Sequence, residues 1–231
     1  MMLEEIGQLL DSTLPGAKRA DYAEAIIAMN CLSKSTFAGR RLTNQRLGEL
    51  YALDPSVPLF RVFRRLWDVD RDSRPLLALL TALARDPLLA ATCPLIISLD
   101  VGQELQREQL RDVERAFVGA RFNERILAKV CRNIASSWTQ SGHLQGRTFK
   151  KRQAVRSTPS TAAYAIYLAY ASGSRGAAVF ASAWFRALDC DPSSGRRLAL
   201  EAKRHGLIDL RMSGEVVEFN LSRLDPVAPR A

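Results

Sequence analysis

Two histidines, four cysteines and one short run of aspartates are the residues of this chain whose types suit acid–base, nucleophilic or metal chemistry. His143 follows Gly142 at the expected end of a helix, and His205 falls in a last helical turn, where a cation beside the C-terminal carbonyls accounts for it. Asp68, Asp70 and Asp72 in "WDVDRDSR" have the alternate spacing of half a calcium loop. The loop's glycine at the sixth position and glutamate at the twelfth are missing, so a solvated turn is expected. Cys31, Cys93, Cys131 and Cys190 lie far apart without a C-x-x-C pair or a Cys/His cluster. That spacing predicts reduced, mostly buried thiols in a cytoplasmic protein rather than a zinc site or a disulfide framework. With no G-x-S-x-G elbow, P-loop, G-x-G-x-x-G turn or H-E-x-x-H pair, no catalytic residue, metal ligand or cofactor is expected, and the chain reads as a non-enzyme.

What the sequence does offer is charge. Of the net +9, residues 1–124 contribute −1, with 16 Lys+Arg against 17 Asp+Glu, and residues 125–231 contribute +10, with 17 against 7. Between Glu124 and Asp189 there is no carboxylate at all. A face that merely keeps a protein soluble mixes both signs, so this asymmetry predicts an anionic partner for the C-terminal half; nucleic acid is the commonest, and double-stranded DNA is the partner expected here. The densest part, "GRTFKKRQAVRSTPSTA", has little apolar periodicity and reads as a basic linker over 146–159. In it Arg147, Lys150, Lys151, Arg152 and Arg156 are expected to contact phosphates. Phe149 is expected to plug into a neighbouring domain rather than to meet a base.

The elements that would position these charges follow from periodicity. Ser160–Ser172 and the stretch from Arg175 are apolar helical segments. Pro192–His205 then reads as a third helix, capped by Asp191 or Ser193 and stopped by Gly206. Ile208 to Leu221 alternates with period two around Ser213-Gly214, as a hairpin does. Three helices and a two-stranded wing predict a winged helix-turn-helix over 160–225. Its third helix would bring Ser193, Ser194, Arg196 and Arg197 to the major groove, with Lys203 and Arg204 further along and Arg211 on the wing.

Residues 1–145 read as a helical domain of near-neutral charge, with helices over 2–10, 18–31, 43–52, 59–68, 75–84, 102–118 and 123–140. "RRLTNQRLGELYAL" offers a second, looser helix-turn-helix pattern around Arg46, for which an ordinary bundle helix is the better reading. Trp67 and Phe60 are taken as exposed aromatics, which suggests that this domain binds other proteins or a second copy of the chain. The N-terminal "MMLEEIGQLL" is acidic where a secretory signal is basic, and no apolar run is long enough to span a bilayer, so no membrane association is expected. The fold class predicted is mainly α: a helical N-terminal domain followed by a C-terminal winged helix-turn-helix with a small β-hairpin wing.

The succession "SRPLLALLTALARDPLLAATCPLIISL", a charged helix, and "FNERILAKVCRNIASSWTQSGHLQG" resembles the layout of BrxA, a small accessory protein of the BREX phage-resistance systems, over roughly Thr36 to Gly146. The resemblance implies a non-enzymatic DNA-binding protein of a prokaryotic defence island, acting beside larger protein components. It transfers no binding residue, since no motif matches position by position. The function expected is therefore that of a DNA-binding accessory or regulatory protein. A protein-interaction adaptor, whose winged domain docks a partner, is the alternative.

Overall fold

The computed structural model describes residues 1–214 and 216–226. It is mainly helical, with a small two-stranded antiparallel sheet near the C-terminus. The chain runs through α1 (Leu3–Asp11), α2 (Arg19–Ile27), α3 (Phe37–Tyr51), α4 (Pro58–Trp67) and α5 (Arg74–Arg85), then the short α6 (Pro87–Ala91) and α7 (Cys93–Ser98). A long pair follows, α8 (Arg107–Val118) and α9 (Glu124–Gln140), and then a minimal hairpin of β1 (Leu144–Gln145) and β2 (Lys151–Arg152). The C-terminal part is α10 (Pro159–Ala171), a 3-10 turn at Gly176–Ala181, α11 (Ala183–Arg186), α12 (Pro192–Arg204), β3 (Asp209–Ser213) and β4 (Val216–Asn220).

Proline at the first or second helical position starts α4, α5, α6, α7, α10 and α12, since the missing N–H belongs to a turn that has no intrahelical acceptor for it. On α4 the buried side chains include Phe60, Phe63, Leu66 and Trp67. Trp67 and Phe60 are each 1% exposed, which overturns the expectation that they form a surface. Phe60 meets Tyr22 edge-on at 5.4 Å, and Phe63 lies 5.2 Å from Trp67, so both expected surface aromatics belong to an interior cluster. α3 also departs from expectation: it is one helix that begins seven residues before Asn44, with the Thr36 hydroxyl accepting from Gly39 N–H. Gly39 sits in its first turn and does not break it. Thr43, the expected first residue of this helix, is buried in mid-helix.

The expected division at residue 145 does not coincide with any break in packing. α5 is apolar all round, with Leu76 to Leu83 all buried, and α10 is nearly as apolar. The two pack on each other, and Thr81 Oγ1 and Tyr164 Oη share a buried hydrogen bond of 2.9 Å. α10 in turn carries α12, so one continuous cluster of buried side chains runs from α1 to Leu224. Arg61 on α4 closes the arrangement by donating through Nε and Nη2 to both oxygens of Asp225, at 2.7 Å each.

The basic segment 146–159 is not a loose linker. β1 and β2 pair Leu144 with Arg152 and Gln145 with Lys151, and Gly102 N–H and Leu105 N–H donate to Arg152 O and Lys150 O at 2.8 Å. The turn between the strands needs Gly146, which has φ +117° and whose absent Cβ would sit 2.0 Å from Phe149 O. Beyond β2 the chain is tied down by Val155 N–H to Asp189 and by the Ser157 hydroxyl to Leu188 O.

Candidate nucleic-acid interface

α12 owes its position to its inner face. Gly195, Leu198, Ala199 and Ala202 are buried, and a Cβ at Gly195 would stand 3.0 Å from the Phe185 ring, so glycine allows this close approach. The hairpin docks beside it through Phe219, whose ring meets Tyr170 at 5.8 Å and Phe180 at 5.7 Å. In register, Arg211 faces Glu218, and Gly206 and Gly214 take the left-handed conformations that their turns require. The solvent side of α12 then carries Ser193, Arg197, Leu200 and Arg204, spaced by four, three and four, with Lys203 adjoining.

Each expected contact residue has a definite environment. Arg197 is exposed and pairs with Glu201 one turn on, at 3.2 Å. Lys203, Arg204 and Arg211 are exposed as well. Arg196 is half-buried instead, its guanidinium 5.9 Å over the Phe180 ring, so it does not accompany Arg197 on the solvent face. Ser193 and Ser194 are held by Asp191. Both backbone N–H groups and the Ser193 hydroxyl donate to Asp191 Oδ1 at 2.7–3.0 Å, and the Ser194 hydroxyl donates to Oδ2 at 3.0 Å. These bonds, led by the Ser193 hydroxyl, keep the carboxyl well below the usual carboxylate range. A phosphate oxygen only accepts, and both hydroxyl protons are already given to a permanent anion at the helix start. The basic surface of α12 therefore lies towards its middle and C-terminal end rather than at its first turn.

Arg152 is the clearest correction. It is 3% exposed, donates from Nε to Ile96 O at 3.0 Å, and spends its remaining nitrogens on Gln153 O and the Asp189 carboxylate. A guanidinium committed to three acceptor atoms of the chain has no reach to a phosphate outside. Lys150 is half-buried, with Nζ donating to Thr139 Oγ1 at 2.8 Å and to Gly146 O at 3.1 Å, and burial lowers its pKa. Arg147, Lys151 and Arg156 are exposed. Phe149, expected to be a peg, is 67% exposed at the turn.

Two concavities gather these residues. One, of about 910 Å³, brings Arg156 to Arg197 and Ser194 across from the Asp70–Asp72 turn. Its charges are mixed, with Arg71, Arg156 and Arg197 set against Asp70, Asp72, Asp189 and Glu201. The other, of about 590 Å³, lies between α8, α9 and the β1–β2 turn, and joins Arg147 and Lys150 to Arg107, Arg111 and Arg132. Those three arginines were not among the expected contacts. The acid-free run after Glu124 held the signal for Arg132, whereas Arg107 and Arg111 come from a helix of balanced charge and are placed only by the pairing of α8 with α9.

His143 is buried between the two halves of the chain, hydrogen-bonded through Nδ1 to Ser141 Oγ at 2.9 Å and through Nε2 to Ala187 O at 3.0 Å. Burial pushes its pKa down to about 4, so it stays neutral. Among the described residues, no group of three or more His, Cys, Asp or Glu is placed to hold a metal. The cysteines are all free thiols. Among the described residues, no single helix is long and apolar enough to cross a membrane. Compared with known proteins, the chain matches no family model, no curated protein and no solved structure.

Proposed function

We propose that this protein binds duplex DNA through a winged helix-turn-helix made of α10, the 3-10 turn with α11, α12 and the β3–β4 hairpin, and that it serves as an accessory or regulatory subunit. The observation that carries this reading is the solvent face of α12: Arg197, Lys203 and Arg204 on a helix whose opposite face is locked to α10, with Arg211 on the strand pair beside it. A basic helix held rigidly outward with a hairpin at its flank is the form that enters a major groove while the wing follows the backbone. Membership of a phage-defence system of the BREX type rests on the resemblance over Thr36–Gly146.

The test is duplex binding over a salt series. Log affinity should fall steeply with log salt concentration, and Arg197→Ala combined with Arg204→Ala should weaken binding about tenfold or more. It should also flatten the slope by about 1.8, or about 0.9 for each lost phosphate contact. Thermal stability should not change, because an exposed i,i+4 pair contributes only about 0.3–0.5 kcal/mol. A double variant that binds as tightly as the parent, at every salt concentration, refutes the assignment.

A second reading has its own observation. Leu200, Met212 and Val216 are exposed on α12 and the hairpin among these charges, as the apolar centre of a protein-docking patch would be. On that reading the domain is an adaptor, and duplex affinity is weak and insensitive to both arginines.

A further inference from the structure

The basin between α8, α9 and the β1–β2 turn is distinct from the α12 face and better suited to a polyanion. Five cations, Arg107, Arg111, Arg132, Arg147 and Lys150, line it against one carboxylate, Glu108. Arg111 is held by Glu124 at 2.9 Å and Lys150 by Thr139 and Gly146, whereas Arg107, Arg132 and Arg147 make no hydrogen bond or ion pair among the described residues. Unpaired arginines converging on one concavity repel each other in the free protein, and an entering anion relieves that repulsion. The approach is basic too: Arg125 and Lys129 continue the exposed face of α9 towards Arg132 at spacings of four and three, with no carboxylate on that helix after Glu124.

One residue tells a nucleic-acid strand from a generic anion. Phe149 stands in the chain between the basin residues Thr148 and Lys150 and is 67% exposed. The backbone that carries the ring is held in its turn. Gly146 packs directly against Phe149 O in the turn, and Lys150 Nζ caps Gly146 O from the far side. An exposed aromatic ring beside a cationic groove is a stacking platform for an unpaired base, since bases within a duplex already stack on their neighbours.

We propose that this basin is a second nucleic-acid site that takes a single-stranded segment, with phosphates against Arg107, Arg132 and Arg147 and a base stacked on Phe149. The site stands apart from the duplex reading of α12, so each can fail without the other. A protein with both sites holds a duplex and a neighbouring unpaired strand at once.

Fluorescence anisotropy with labelled oligo-dT and oligo-rU, each set against a hairpin duplex of equal charge, tests it on the full chain. The parent should bind the single strands. Phe149→Ala should weaken that binding about tenfold and Arg107→Ala with Arg132→Ala at least tenfold, with duplex affinity and melting temperature unchanged in both variants. Phe149→Trp should retain binding. The two oligonucleotides separate a DNA from an RNA ligand, because only the ribose hydroxyl and the base methyl differ. Three results overturn the proposal: no affinity for either single strand, single-strand binding indifferent to Phe149, or equal loss of duplex binding in the arginine variant, which would merge the basin with the duplex surface.

Discussion

Arg152→Ala should lower the free energy of unfolding by about 3–5 kcal/mol, the usual cost of breaking a buried ion pair by removing one partner. The substitution leaves the Asp189 carboxylate, whose side chain is 18% exposed, with only the Val155 N–H at 2.9 Å, and leaves Ile96 O without its guanidinium donor. Asp189 also holds a left-handed backbone, φ 53°, that a non-glycine residue adopts at a cost, so the surroundings that fix it include the ion pair. The clamp joins β2 to the segment before α12 and lies between the two halves of the core. Urea denaturation reads the effect as a lower midpoint with an unchanged slope. Arg152→Lys should fall between the parent and Ala, since it keeps the charge and loses the fork. A loss below about 1 kcal/mol for Arg152→Ala would mean that the pair contributes little and that residue 152 is free to serve the surface after all.

Glu114 should make the chain lose stability as pH rises from about 4.5 to about 7, against the gain that buried, neutral His143 contributes below about 6.5, and the stability difference between Glu114→Gln and the parent isolates it. Glu114 is fully buried on α8, and neither of its oxygens has a hydrogen-bond partner among the described residues. Burial, helped by the negative charge of Asp86, raises its pKa from 4.5 to about 7. In that interval the folded chain keeps a proton that the unfolded chain has already released, so ionisation favours unfolding as pH increases. The penalty is absent below about 4.5 and complete above about 7. At about 1.4 kcal/mol per tenfold change in proton affinity, the full penalty is on the order of 3 kcal/mol. Gln imitates the neutral acid at every pH, so Glu114→Gln should match the parent near pH 4.5 and melt higher near pH 8. Parallel melting curves for the two proteins across that range would place the Glu114 carboxyl in water.

Much of the fold was legible because its punctuation is local. Asp191 and Pro192 at the start of α12 and glycine at 206 and 214 each act within a few residues, and α12 and the β3–β4 hairpin fall where those signals put them. The stretch from Arg175 misled, because apolar composition alone does not separate a long helix from a 3-10 turn and a single helical turn parted by an extended Ser182. The basic segment misled in a different way. Two-residue strands have no period to detect, and the partner of Arg152 is the carboxylate that ends the acid-free stretch, 37 residues away. Charge counting sees ten cations without counterions there, and only the folded chain shows which one is neutralised inside. Ser193 and Ser194 show the same limit on a smaller scale: their types fitted phosphate contact, but Asp191 already holds their protons.

The seating of α10 against α5 bears on how the chain is made. α5 is hydrophobic on every side, and the helix that covers one of those sides starts at Pro159, more than seventy residues after α5 ends. At roughly 5–20 residues per second of synthesis, the ribosome takes several seconds to supply it. During that interval the side of α5 that α10 will cover stays open on a nascent chain that cannot finish folding, and the Arg61–Asp225 clamp arrives later still. Completion from contacts so distant in sequence should slow folding, and overproduction at high temperature should favour aggregation of the unfinished chain.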